Sequence, residues 1–287
     1  MKIRFVAIAA LLCGAAVSAQ ERRVEPTWLH RDLSSAREIN PDSTCHYKPL
    51  FGEGDADKSA VAGIARYGEV LLDSKATCSA VDLPQEDQIY VVLEGSGKAT
   101  YSAQTVALKP EDYLYIPAGT RHALSNPSAR AMRVLVMGFH TKGLQPVSAP
   151  RHPPKANIED VAPQTVSGHP SSTLYRLLLG DVNSKRDRIA AGRAVTSLFV
   201  MEIAPGGTNF PHHHLREEEI YLVLEGRGEM IAGGGTDGIE GRHPAKPGDA
   251  YFFRPNCTVG YYSAPSVKSR ILAVRSWYPG MANDPEH

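Results

Sequence analysis

Residues 88–97 read QIYVVLEGSG and residues 219–228 read EIYLVLEGRG. Each is a short aliphatic and aromatic run ending in Glu-Gly-x-Gly, a strand entering a turn. The offset between them is 131. A second echo, KPEDYLYIP at 109–117 against KPGDAYFFR at 246–254, has an offset of 137. Six residues are therefore inserted in the second copy, most simply in the Gly-rich stretch Gly233–Gly241. Two copies of a unit this long imply a duplicated domain and not a solenoid. Tyr113–Ile116 and Ala250–Phe253 read as further strands, each begun after a proline and an acidic turn. Helical periodicity is weak beyond the first twenty residues. Closely spaced short strands with turn signals predict an all-β protein of two tandem antiparallel barrels.

The rest of the chain is organised around these copies. Residues 1–19, MKIRFVAIAALLCGAAVSA, combine a basic start, an apolar stretch and small residues at a cleavage position, the pattern of a secretory signal. Residues 20–58 are polar and irregular and read as an arm wrapping the first barrel, expected at 59–145. Residues 146–171, rich in Pro, Ser and Ala, read as a linker, and the second barrel is expected at 172–279. The 287 residues carry 31 basic and 31 acidic side chains, so no basic field exists to hold a polyanion. Loss of 1–19 leaves 29 basic against 31 acidic side chains and no stretch apolar enough to span a membrane. Three cysteines then remain, Cys45, Cys78 and Cys257. Export permits one disulfide, expected between Cys45 and Cys78; the alternative is that all three are small buried apolar residues.

The chemistry concentrates in Gly206-Gly-Thr-Asn-Phe-Pro-His212-His213-His214, followed by Glu217-Glu218-Glu219. On a strand His212 and His214 share a face and His213 takes the other. Glu219 opens the next strand. Two imidazoles and a carboxylate make a three-point metal site with open positions. The competing reading is a surface histidine cluster beside solvated acids, with Glu217 and Glu218 in water.

The order Gly206-x5-His212-x-His214-x4-Glu219-x6-Gly226 resembles the first motif of the cupin superfamily. Pro117-x-Gly119-x2-His122-x3-Asn126 resembles its second motif, with Glu111 where the family usually has Gly. The resemblance implies a bicupin, a pair of β-barrels each with its site inside. It also exposes departures. Val259 stands where the family has a fourth ligand, His; Arg254 replaces its Pro and Asn256 its Gly. In the first copy Val81, Leu83 and Gln88 replace the ligands and only His122 survives, so that copy reads as a degenerate metal site.

A divalent iron, manganese or zinc ion held by His212, His214 and Glu219 is therefore expected in the second barrel. Two histidines and one carboxylate suit iron(II) with dioxygen, or zinc polarising a water. Arg254, Tyr221 and Tyr261 are candidate pocket residues, Arg254 as a partner for a substrate carboxylate. The reading is an exported or periplasmic metal-dependent enzyme acting on a small polar molecule, dioxygenase-like or an isomerase or lyase. Its alternatives are a sugar- or organic-acid-binding cupin with a structural metal, and a metal-free scaffold. No nucleic-acid partner is expected, and no membrane partner after processing; pairing of strand edges would give a homodimer.

Overall fold

A computed structural model describes residues 26–39, 43–145, 150–234 and 240–282; the signal expected at 1–19 lies outside the described residues. In chain order the strands begin with β1 (Trp28–Asp32), β2 (Cys45–Gly52), β3 (Ile64–Leu72), β4 (Glu86–Glu94), β5 (Gly97–Tyr101), β6 (Gln104–Leu108), β7 (Asp112–Ile116), β8 (His122–Ser125) and β9 (Met132–His140). A short β10 (Lys155–Asn157) follows. The second half holds β11 (Thr173–Asp181), β12 (Ile189–Gly192), β13 (Val195–Ile203), β14 (Thr208–His212) and β15 (Glu217–Glu225). It ends with β16 (Gly228–Gly233), β17 (Glu240–Ala245), β18 (Asp249–Phe253), β19 (Thr258–Ser263) and β20 (Ser269–Trp277). Among the described residues no helix is long and apolar enough to cross a membrane.

The all-β, tandem architecture agrees with the sequence reading, with one refinement. Each unit is a two-sheet jelly roll and not a continuously hydrogen-bonded barrel. The first unit packs the sheet β10-β7-β4-β9-β3-β2 against β6-β5-β8; the second packs β1-β18-β15-β20-β13-β11-β12 against β14-β19-β16-β17. Among the described pairings only β11 with β12 is parallel.

The unbroken apolar run of the repeat has a physical cause. Strand residues alternate between faces, and here both faces are buried. Tyr90 and Val92 of β4, like Tyr221 and Val223 of β15, point between the two sheets of their own unit. Ile89 and Val91, like Ile220 and Leu222, point into a third and larger cluster shared by both units. In that junction Phe51 meets Phe252 at 5.9 Å between ring centroids, and the Tyr113 hydroxyl donates to the Leu178 carbonyl at 3.0 Å. A strand covered on both sides has no solvent face to make polar, so it reads as a continuous hydrophobic stretch.

The connections depart from the sequence reading. The arm does cover a sheet edge, but that of the second unit: β1 pairs with β18, from Trp28↔Phe253 to Asp32↔Asp249. Within the same arm, β2 is an integral strand of the first unit, paired along its length with β3. The expected linker contains β10, which closes the edge of the first unit by pairing with β7. Each unit thus receives an edge strand from the segment preceding the other. The inserted residues fall where expected. The β5–β6 hairpin closes at Tyr101↔Gln104, whereas β16–β17 has one more residue on each side and a longer loop after Gly233↔Glu240. Cys45 and Cys78 form a disulfide that ties β2 to the segment after β3, and buried Cys257 donates its thiol to the Gly233 carbonyl at 3.3 Å.

Candidate metal centre

Strand β14 carries the first half of the site. A register shift between Asn209 and His212, at Phe210-Pro211, turns Phe210 outward, where it is 52 % exposed, and returns His212 to the interior side. His214 lies two residues past the strand's end, held there by its carbonyl, which accepts from the Asn256 N–H at 2.8 Å. His213 is exposed, as alternation requires. Glu219, on β15, shares the interior face of Tyr221 and Val223.

The ligand atoms of His212, His214 and Glu219 lie within 4.8 Å of one another, a set that can hold a metal ion. The two imidazole rings are perpendicular, 5.0 Å apart. His212 Nδ1 is tied to the Phe210 carbonyl at 2.7 Å, which leaves Nε2 as its ligating nitrogen. His214 Nδ1 lies 3.5 Å from a Glu217 carboxylate oxygen, and its Nε2 lies 3.2 Å from Glu219 Oε2. The carbonyl behind His212 fixes the tautomer that a metal needs, whereas His214 Nδ1 lies 3.5 Å from both Glu217 and Arg275 Nη1. Glu219 is 2 % exposed, and its Oε2 makes no hydrogen bond: the contact with His214 is close but not aligned for one. A buried, unsatisfied carboxylate oxygen facing two imidazoles is costly unless a cation meets it.

The electrostatics agree. Burial pushes the Glu219 carboxyl up, but the His214 imidazole and the Arg275 guanidinium outweigh it and hold the group below its ordinary range. Burial lowers His212, against the pull of Glu219. At His214 burial is outweighed by the Glu219 carboxylate, which raises the imidazole, so a divalent ion binding there would displace a proton.

A small cavity of about 40 Å³ opens beside the three groups. Tyr221 lines it, its hydroxyl accepting from Asn209 Nδ2 at 2.8 Å. Asn209 Oδ1 accepts in turn from the Tyr175 hydroxyl at 2.9 Å and meets His169 Nδ1 at 3.1 Å. Two expectations are corrected here. Tyr261 is buried away from the cavity, its hydroxyl bonded to Ser269 Oγ at 3.0 Å, because it lies two residues further along β19 than Val259. Arg254 does not line the cavity; it is part-buried, its guanidinium reaches the Tyr278 hydroxyl at 3.1 Å, and its charge acts on the buried Glu218 carboxyl. Val259 sits directly opposite His212, buried among apolar side chains.

Glu218 is a third correction. It is fully buried, not solvated, and accepts from the N–H groups of Ala62 at 2.8 Å and Gly63 at 2.7 Å in the first unit; burial pushes its carboxyl up to about 7. Glu217 is half-buried beside Arg275 and His214. The sequence reading missed His169 and Arg275. His169 belongs to the expected linker, and no local pattern marks it. Arg275 could have been found: in ILAVRSW it is the charged residue on the face that Ile271 and Ala273 turn inward.

In the first unit the same positions are closed. His122 lies between the Thr120 carbonyl at 2.6 Å and Gln88 Oε1 at 2.9 Å, and Gln88 Nε2 donates to Glu86 at 2.8 Å. Glu86 is paired on both oxygens by Arg66, at 2.6 and 3.0 Å. Val81 is part-exposed and bridges to His122 through the backbone. Hydrogen bonds tie His122, Gln88, Glu86 and Arg66 to one another, and the first unit offers no metal-ligand set among the described residues.

The sequence profile of the family described as "Cupin domain" matches residues 83–138 and 199–274, one segment in each unit. None of the curated proteins matches the sequence. Solved structures match the fold. The oxalate decarboxylase of Lactobacillus farciminis, in its formate complex, is 12 % identical with a TM-score of 0.66, covering 87 % of this chain and 86 % of its own. A glyoxylate-induced-protein candidate of Pseudomonas aeruginosa is 19 % identical with a TM-score of 0.65, covering 83 % of each chain. Protein YlbA of E. coli is 16 % identical with a TM-score of 0.65, covering 92 % of this chain and 95 % of its own.

Proposed function

This chain belongs to the cupin superfamily and carries two tandem cupin domains, and from that premise we propose that it is an exported, metal-dependent enzyme acting on a small polar substrate in its second domain. His212, His214 and Glu219 would hold one divalent ion, of iron, manganese or zinc. The observation that carries this reading is the convergence of three ligand atoms within 4.8 Å on a carboxylate oxygen that is buried and has no hydrogen bond. Such an ion supplies Lewis acidity to a bound substrate or, as iron, access to dioxygen.

The chain's own residues do the rest. Phe210 O orients the His212 imidazole. Asn209 fixes the Tyr175 and Tyr221 hydroxyls at the cavity wall. Phe199 and Leu177 keep the wall apolar and limit water. The first domain, with its His122 already bonded, acts as a structural partner. The leader pattern at 1–19 and the Cys45–Cys78 disulfide support export to an oxidising compartment.

The test is elemental analysis of the purified mature chain together with oxygen uptake over a panel of small polar substrates. The expected result is about one ion per chain, lost in His212→Ala and Glu219→Ala, since removing a ligand weakens binding severely. Metal below about 0.2 per chain in the wild type, or unchanged in His212→Ala, overturns the reading. A second reading, a binding protein with a structural metal, is favoured by Val259 in place of a fourth ligand. Metal-dependent turnover abolished by Glu219→Ala would remove it.

A further inference from the structure

Beside the candidate ligands the cavity holds about 40 Å³, room for roughly three water-sized groups. A substrate larger than that enters only if part of the wall moves. Most of the wall stands on β11, β13, β14, β15 and β20, where sheet ladders fix the backbone. Of its lining residues, Val166, His169, Arg186 and His214 lie outside strands. Arg186 is tied to Asp187 at 3.1 Å and to Ser197 Oγ at 3.0 Å, and the His214 carbonyl is held by the Asn256 N–H. The segment carrying Val166 and His169 is the part left to move.

That segment is built as a strap with fixed ends. At one end Gln164 and Tyr175 exchange two backbone hydrogen bonds, at 2.9 and 2.8 Å. At the other the Ser172 carbonyl accepts from the Ala204 N–H at 2.9 Å, and the Ser172 hydroxyl accepts from the Thr208 N–H at 3.2 Å. Between these anchors Val166 and His169 are half-buried and line the cavity, while Thr165, Ser167, Gly168 and Ser171 are exposed. One turn closes within the strap, from the His169 N–H to the Val166 carbonyl at 3.1 Å. Gly168 holds it with φ of 80°, and a Cβ there would meet nothing within 4 Å.

One side chain fastens the strap. Among the described residues, the side-chain hydrogen bonds from 165–171 to the rest of the domain all come from His169 Nδ1, which meets the Tyr175 hydroxyl at 2.9 Å and Asn209 Oδ1 at 3.1 Å. The Tyr175 hydroxyl gives its own hydrogen to Asn209, so Nδ1 carries a proton and donates to both. Val166 adds an apolar contact with the core of the second unit. One shared imidazole hydrogen bond and one apolar side chain keep the strap down and release it at little cost.

We propose that residues 165–171 are the gate of the cavity: the strap turns at Gly168, and His169 is the latch that fastens it to Tyr175 and Asn209. Closed, it keeps bulk water out; open, it passes the ion and a small polar substrate. Its role rests on the metal reading above, and its existence is tested apart from that reading.

The first readout needs no metal. Leu177→Cys places a thiol on the buried cavity wall of the full mature chain, and its labelling by methyl methanethiosulfonate is mapped by peptide mass to separate it from Cys257. Adding His169→Ala should speed the labelling about tenfold, the worth of one or two net hydrogen bonds. Adding Gly168→Ala should speed it severalfold, because alanine resists the positive φ of the closed turn. Equal labelling rates with and without His169→Ala overturn the gate. The second readout is stopped-flow exchange of Mn²⁺ in chains that keep Leu177. His169→Ala should raise the association and dissociation rates by the same factor and leave the dissociation constant unchanged. Mn²⁺ binding weakened through the dissociation rate alone overturns the gate and makes His169 a ligand. Failure of the wild type to bind Mn²⁺, Fe²⁺ or Zn²⁺ overturns the metal reading, and the labelling rates then decide the gate by themselves.

Discussion

Asp87 of the first domain is held by Arg193 of the second through both carboxylate oxygens, with Arg193 Nε 3.2 Å from Oδ2. Arg193 precedes β13 as Ala62 precedes β3, and Asp87 corresponds to Glu218. The contact of Glu218 with Ala62 and Gly63 is therefore its mirror image across the junction. In each unit the interface acid immediately precedes the residue at the metal position, Gln88 or Glu219. Alternation sends the two consecutive side chains to opposite faces, one to the neighbouring domain and one to the interior.

Removing the cation from this pair leaves Asp87 buried with only the Tyr115 hydroxyl and the Ala118 N–H. Arg193→Ala should destabilise the chain by about 3 kcal/mol, because an uncompensated buried charge is left behind. Denaturant titration of Asp87→Ala, Arg193→Ala and the double variant should show less loss in the double than the sum of the singles. Additive losses would refute the coupling.

Metal should raise thermal stability with the logarithm of its concentration, by about 2.7 kcal/mol at a hundredfold excess over the dissociation constant. Thermal scans with added Mn²⁺ or Zn²⁺ should show the rise in the wild type and in His122→Ala, but not in Glu219→Ala.

Val259→His restores an imidazole opposite His212. Without metal the buried polar ring should cost about 1–3 kcal/mol. With metal, competition against a chelator should show affinity raised at least tenfold. A variant that is destabilised without tighter binding would mean that residue 259 does not reach the site.

Truncation to residue 34 removes β1 and bares the β18 edge. Hydrogen exchange should accelerate in β18 and β15 while β7, covered by β10, stays protected. The bared edge should also promote self-association, measurable by light scattering.

Reduction of the disulfide, or Cys45→Ser, opens a loop spanning 33 residues and should cost about 3–4 kcal/mol. Unfolding midpoints with and without reductant give the difference directly.

The duplication, the all-β class and the three candidate ligand residues were legible because each is encoded over a short stretch. Strand, turn and strand bring His212, His214 and Glu219 together with little help from elsewhere. Departures from the family pattern also carried structural meaning. Glu111 and Asn256 stand where glycines are usual, and both keep the left-handed backbone, with φ of 70° and 65°. Glu111 is further held by two hydrogen bonds from Arg270 of the other domain, at 3.1 and 2.8 Å. What stayed hidden is non-local. The five residues of β1 carry no pattern that names β18 as their partner. Nothing around Ser167-Gly-His169 distinguishes a cavity wall from a linker. Arg254 and Tyr261 are near the motif in sequence, but their side chains are bonded to Tyr278 and Ser269, away from the cavity.

The exchanged edge strands also order events in time. The first domain gains its last strand, β10, soon after β9 has been made, so it can close early. Asp32, in contrast, finds its partner Asp249 only 217 positions downstream. Strand β1 can therefore take its place only after β18 has been made.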